Sequence, residues 1–403
     1  MNYILFQSQS AQKGLQPFSL TRPISEIRLG ILTITQKWEF ALKKPVSFLT
    51  KSYLQKKYPL IKGDDNLLIN GAVLPDKNLL KAINALLPGQ ILFSNPVILA
   101  ARINKKQLNA LKDIEELTKL KRINSDLPFF KLRHPWDIFK FNGEEIRQDF
   151  QLVTKGRKST KISKTNQILG KNPIFVEAGA KIECSILNAT NGPIYIGKNT
   201  EIMEGSLIRG PFALGEGAVI KMGAKIYGDT TIGPFCKVGG EVSNSVLFAN
   251  SNKAHDGFIG NTVIGEWCNL GADTNTSNLK NNYANVEVLD FQSYTMIDTG
   301  LQFCGLIMGD HSKCGINTMF NTGTVVGVNT NIFGTGFPIK FIPSFAWGGS
   351  AGFTTYRIEQ AIEVAKKVFE RRGKTFDKVE QDILNHLFNT LTKTRVDLQE
   401  QPD

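Results

Sequence analysis

An aliphatic residue returns at every sixth position from Ile196 to Val238, through Ile202, Ile208, Leu214, Ile220, Ile226 and Ile232. A period of six is a multiple of the strand period of two, so it keeps one side chain per unit on the same face. It is out of step with 3.6, and a helix would scatter these residues around its circumference. Between them stand small or turn-forming residues, as in "IGKNTE", "LGEGAV" and "IGPFCK". Short rungs broken by a regular turn are the hexapeptide form of a parallel β-helix, in which each unit buries its aliphatic residue only by stacking on neighbours. Short antiparallel strands sharing a spacing are the alternative, and the unbroken run stands against them. The period starts weakly at Val176 and Ile182 and slips by two residues around "NATNGP". After Val238 it meets a loop-like interruption, "GGEVSNSVLFANSNKAHDGF", then resumes at Ile264 and Leu270. A longer polar loop, "GADTNTSNLKNNYANVEV", precedes its return at Met308, Cys314, Phe320, Val326 and Ile332.

A chain of 403 residues is too long for one ordinary core, so two or three domains are expected. The reading is an α/β domain with a connecting arm over 1–165, the β-helix over 166–350 and C-terminal helices over 351–403. In the first hundred residues "YILF", "VSFLT", "NLLIN" and "QILFS" read as strands, and "ISEIRLGILTITQKWEFAL" and "DKNLLKAINALL" as helices. Asp76 is the expected N-cap of the second helix. Strands alternating with helices imply an α/β sheet whose ligand site lies beyond the carboxyl ends of its strands. A helical stretch, "KQLNALKDIEELTKLKRI", and then "HPWDIFKFNGEEIRQDFQLV" form the arm, with His134 read as packed. Two amphipathic helices finish the chain, the first closed by Gly373 at C′. Their apolar faces are expected to cover the open end of the β-helix or pack on a neighbour, with His386 as a surface or packing residue.

No run of about 18 apolar residues is present, which argues against a membrane-spanning helix. The start lacks the basic flank and apolar core of a signal peptide, so a cytoplasmic protein is expected. Five scattered cysteines have neither zinc nor disulfide spacing, and Cys236 and Cys314 are expected to be buried free thiols. The net charge of +12 raises a nucleic-acid reading, with much of the excess between Arg102 and Lys171. These cations are not interleaved with aromatic residues as a strand-binding platform requires, so no nucleic-acid partner is expected. A solvated linker fits better, and attraction of phosphate-bearing small substrates is the functional alternative.

A regular solenoid carries function in what interrupts it. One interruption holds His255 beside Asp256; the other supplies Asn278, Lys280, Asn281, Asn282 and Tyr283. An imidazole near neutral pKa can take a proton from an attacking amine or hydroxyl, and Asn amides and a lysine can hold a sugar and its phosphate. After the first strand, "QSQSAQKGLQPFSLTRP" offers Lys13, Arg22 and Arg28 as phosphate donors, of which Arg22 is the most suggestive.

The hexads, "SNKAHDGFIGN", "VIGEWCNLGADTNTSNLKNNY" and the preceding α/β region resemble the bifunctional N-acetylglucosamine-1-phosphate uridyltransferase/glucosamine-1-phosphate acetyltransferase family, and the divergent sugar nucleotidyltransferases of that group more closely. The resemblance covers nearly all of 1–350. It implies a left-handed β-helix, an exception to the right-handed crossover rule. It also implies a homotrimer with acetyl-coenzyme A or another acyl-coenzyme A in the clefts between subunits. His255 matches the family's catalytic base, Asn269 a sugar-contacting asparagine, and Asn278 the asparagine of the "NYDG" turn. Departures are marked: "GPFALGEG" has no phosphate-binding arginine, Gly239 and Gly240 stand where a lysine pair is expected, and Phe258 replaces a substrate-facing tyrosine. A different acceptor sugar is implied. In the first half the glycines of the nucleotidyltransferase signature are gone, Ile24 replaces its lysine, and its metal-binding aspartate falls near Asn70. Asp76 is the substitute candidate for a magnesium ligand, and uridylyl transfer from a nucleoside triphosphate is in doubt.

The leading expectation is acyl-coenzyme A-dependent transfer to an amino sugar or its nucleotide with His255 as general base, beside a divergent sugar-1-phosphate nucleotidyltransferase-like domain. The alternatives are a nucleotidyltransferase whose β-helix only trimerises it, and a non-catalytic nucleotide-sugar-binding protein.

Overall fold

The computed structural model describes residues 1–391, and residues 392–403, the end of the expected helical segment, lie outside the described residues. The chain divides into two compact units, Met1–Ile27 with Leu32–His134, and Arg28–Ile31 with Pro135–Asp403. The division thus falls at His134, ahead of the boundary expected near 165.

The first unit is a six-stranded mixed sheet. Its strands are β1 (Asn2–Phe6), β2 (Ser47–Leu49), β3 (Asp65–Asn70), β4 (Gln90–Ser94), β5 (Val97–Asn104) and β6 (Lys121–Asn124), in the order β2-β1-β3-β5-β4-β6. β1 runs parallel to both β2 and β3, whereas β5 is antiparallel to β3 and β4. The four strands read from sequence are present; β5, fused to β4 by a two-residue turn, is additional. The first expected helix is shorter than its pattern. Only α2 (Ile34–Leu42) is α-helical, with Thr33 and Gln36 forming a capping box, and before it come a 3-10 turn at Ile24–Glu26 and a turn in which Gly30 takes φ +82. α1 (Gln9–Gly14) was not expected, and α3 (Lys77–Asn84) is capped by Asp76, whose Oδ1 accepts from the amides of Asn78 and Leu79. "KQLNALKDIEELTKLKRI" is not one helix: α4 (Lys105–Ala110) gives way to a 3-10 turn and β6.

The second unit is a three-sided parallel β-helix. Chain order visits a first face (from Ile174–Val176 to Phe341–Ile342), a second (from Lys181–Ile182 to Ala346–Gly349) and a third (from Gln167–Leu169 to Phe258–Gly260), and each strand pairs in parallel with its counterpart one coil on. Asn275–Thr276 and Met319–Phe320 continue the third side as a pair. The eight hexad residues from Ile196 to Val238 all point inward and are at most 2% exposed. Burial of each such side chain is worth about 1.5–3 kcal/mol, which only the coils above and below can supply.

The segment after Val238 is not an interruption. Glu241–Ser243, Val246–Leu247 and Asn252–Lys253 are three further rungs, with Val242 and Leu247 buried at inward positions. Shortened corners, not lost strands, broke the six-residue spacing. The later excursion is real and contains an antiparallel hairpin, Glu287–Asp290 with Thr295–Asp298.

α5 (Pro135–Thr154) packs along the first face as an integral layer of this unit. Asn142 on it donates to the carbonyl of Asp229 at 2.8 Å, and its Oδ1 accepts from the Gly30 amide at 2.8 Å. The C-terminal helices α6 (Ile358–Glu370) and α7 (Lys378–Thr390) lie against the side of the coil rather than over its end: Phe369 stacks on Trp267 at 3.8 Å between ring centroids, and Phe388 packs edge-on to Phe345. Gly373, at φ +63, ends the first of them as expected. Among the described residues no helix is long and apolar enough to cross a membrane.

Candidate functional site

In the first unit a groove of about 320 Å³ opens beyond the carboxyl ends of β1 and β2, lined by Gln7, Ser8, Gln12, Thr50, Lys51 and Asp113. This is where an open α/β sheet places a ligand. The three expected phosphate donors do not converge on it. Lys13 is exposed on the last turn of α1, and Arg22 is buried. Arg28 belongs to the second unit and donates to the carbonyl of Ile31 at 2.5 Å. Sequence reasoning missed Lys131, which lines an adjoining small pocket with Ser8, Ser10 and Asn70. Burial, reinforced by nearby Arg133, holds its ammonium pKa below the ordinary lysine value.

The residues present do not fit a magnesium ion. Asn70, in the place of the metal-binding aspartate, uses its amide on the carbonyl of Ile98 and the amide of Ala72. Asp76 serves α3 as its cap, and the described residues contain no group of three or more His, Cys, Asp or Glu arranged to hold a metal.

In the second unit His255 and Asp256 are exposed on the corner between the second and third faces. An open groove of about 580 Å³ runs past them over four successive coils, with Lys221, Met222, Gly239, Gly240, Ala272 and Asp273. Its floor is bare backbone for a steric reason. A Cβ on Gly240, at φ +72, would meet the Gly257 carbonyl oxygen at 2.6 Å; one on Gly257, at φ +105, would meet that of Thr274 at 2.3 Å. The glycines that depart from the resembled family are therefore demanded by the close approach of neighbouring corners.

Beneath this corner lies a residue that the hexad pattern concealed. Lys253 occupies the inward position of the second face, paired with Val238, and is wholly buried among aliphatic side chains. Its ammonium turns outward to the backbone, donating to the carbonyls of His255 at 2.5 Å and Asp256 at 2.6 Å. Desolvation lowers its pKa to about 8, against the opposing pull of Asp256 and Asp273. The signal was available in the sequence: "NKAH" places a lysine six residues after inward Leu247.

The remaining expected substrate residues do not line the His255 groove. Asn269 stands on the outer side of the second face and accepts from Asn252 at 3.1 Å. Asn278 lies beyond the far end of the third face, its amide donating to Asn261 at 2.9 Å. Lys280, Asn282 and Tyr283 follow it in the excursion: Asn282 accepts from the Ala284 amide and Tyr283 is 65% exposed. The cysteines other than Cys184 are buried and unbridged, and burial pushes the Cys236 thiol up to about 12.

Residues 3–158 match the sequence model of a family described as sugar nucleotidyl transferase. No curated protein matches the chain. Similar solved structures include the polySia specific acetyltransferase NeuO, 16% identical with a TM-score of 0.29, over 52% of this chain and 99% of that one. Another is UDP-N-acetylglucosamine acyltransferase from Campylobacter jejuni, 18% identical with a TM-score of 0.30, over 60% of this chain and 86% of that one. The Arabidopsis enzyme of that name is 13% identical with a TM-score of 0.27, over 59% and 93%.

Proposed function

We propose that this chain is a sugar-modifying transferase whose β-helix moves an acyl group from an acyl-coenzyme A to an amino sugar or its nucleotide. The β-helix is read as left-handed. His255 is the general base: its imidazole takes the proton from the sugar amine as nitrogen attacks the thioester carbonyl, and the departing thiolate is protonated in turn. The observation that carries this reading is the exposed imidazole in an open groove, on a corner whose backbone is anchored from below by Lys253. A homotrimer completes the site, since one chain walls the groove on one side only and holds Asn278, Lys280, Asn282 and Tyr283 at the far end of the third face. The first unit binds the nucleotide sugar at the ends of β1 and β2. His255→Ala is expected to lower acyl-coenzyme A turnover by 10²–10⁴-fold, the usual worth of a general base, with oligomeric state unchanged. Undiminished turnover in that variant would remove His255 from the chemistry.

A second reading is favoured by the family match over residues 3–158: nucleotidyl transfer to a sugar 1-phosphate, with the β-helix serving assembly. It predicts pyrophosphate release from a nucleoside triphosphate and a sugar 1-phosphate, abolished by Lys131→Ala. The magnesium such chemistry ordinarily uses has no fitting set of ligands here, which places this reading second.

A further inference from the structure

The outer side of the second face carries a ladder that the aliphatic stack does not use. Strand pairing sets Val219, Lys237, Asn252, Asn269 and Lys313 one above another, each one residue before an inward side chain. Asn252 donates to Asn269 at 3.1 Å, joining two rungs. The turn after α6 then delivers a guanidinium onto this surface: Arg372 donates to Asn252 Oδ1 at 2.7 Å and to the carbonyl of Phe235 at 2.7 Å. Lys221, at the corner that ends the Val219 rung, lines the His255 groove, so the ladder and the groove are continuous.

Lys237, Arg372, Lys221 and Arg371 are all cations, and a carboxylate, Glu201, enters the ladder one rung below Val219. Partial burial lowers the Lys237 ammonium pKa, followed by repulsion from Arg372, Lys221 and Arg371. Among the described residues no carboxylate forms an ion pair with any of these four cations. Clustered like charges oppose the fold unless something neutralises them, and the chain has fixed one of them with two hydrogen bonds rather than letting it swing away. A cationic cluster held in place, with none of its members ion-paired, is preorganised for an anion.

Resting on the acyl-transfer reading for its orientation, we propose that Lys237, Arg372 and Lys221 bind a diphosphate group on the second face, with the remainder of that ligand running toward His255. Nucleotide sugars and coenzyme A both carry a diphosphate, so the chemistry of the site is common to the two sources. Guanidinium and ammonium groups grip phosphate oxygens, and the paired asparagine amides supply neutral contacts between them.

The test is isothermal titration of the full chain with inorganic pyrophosphate, coenzyme A and UDP-N-acetylglucosamine, in wild type and in Lys237→Gln, Arg372→Gln and Lys225→Gln. Lys225 is an exposed lysine on the third face and controls for the loss of one charge. The expected result is a tenfold or greater weakening of pyrophosphate binding in Lys237→Gln, with Lys225→Gln unchanged. Of coenzyme A and UDP-N-acetylglucosamine, the one that weakens in parallel is the kind of ligand seated here. Lys237 is exposed, so its substitution leaves the fold intact and a thermal melt checks this. No binding by wild type, or equal affinity in Lys237→Gln and Lys225→Gln, overturns the proposal. Because binding is read without turnover, an inactive β-helix would sink the acyl-transfer reading and leave this result standing.

Discussion

At the scale of single residues, Lys253 is the most consequential side chain in the second unit. It fills an aliphatic position and still satisfies its ammonium with two corner carbonyls, which offsets part of the cost of desolvation. Its folded pKa of about 8 lies below the ordinary value of 10.5, so between those two pH values the unfolded chain binds more protons than the folded one. Stability from this group therefore rises with pH from about 8 to about 10.5. In Lys253→Met that rise should flatten, as read from urea midpoints at pH 8 and pH 10, and the unanchored corner should cost acyl-transfer activity. The same residue shows the limit of pattern reading. A period of six revealed the stack from Ile196 to Val238 because every inward residue there is aliphatic. It missed the rungs around Val242, Leu247 and Lys253 because their corners are shorter and one inward residue is a cation. His255 itself stood out in the sequence, whereas Lys221 is unremarkable until the coils set it in the same groove, and Arg372 until a helix turn brings it onto Asn252.

At the scale of elements, helix periodicity found α6 and α7 but not where they lie. An apolar stripe specifies that a face is buried, not against which surface. The partner is the corner carrying Trp267: Phe369 stacks on it at 3.8 Å and on His311 at 6.1 Å, and Lys374 sits 5.3 Å above the Trp267 ring. This aromatic clasp positions the turn that presents Arg372. Phe369→Ala should therefore destabilise the second unit by about 3–5 kcal/mol, the cost of truncating a buried phenylalanine, with a lower thermal midpoint as the readout. The N-terminal helices were read less well. "ISEIRLGILTITQKWEFAL" has helical periodicity throughout, yet Gly30 turns the chain so that the Gly30 and Ile31 amides reach Asn142 and Asp149 on α5, and only the second half is helix.

For the whole molecule, the described residues of the first unit form a groove beyond β1 and β2 and those of the second an open groove at His255. On the homotrimer proposed above, sedimentation velocity is expected to give three times the 44.7 kDa chain mass. A monomer that turns over acyl-coenzyme A would contradict that arrangement. The fold class was legible because a coil is a local object, built from residues close in sequence; the sites were less so because they depend on which distant corners share an edge. The excursion between Asn275–Thr276 and Ile307–Met308 makes the point from the other side. The first face passes directly from Val263–Ile264 to Ile307–Met308 as though nothing intervened. Since each coil answers only to the two beside it, that corner is a socket: the loop plugged into it is exchangeable while the column keeps its pairing, provided the replacement fits against Gly323 and Phe341, where Glu287 and Phe291 now lie.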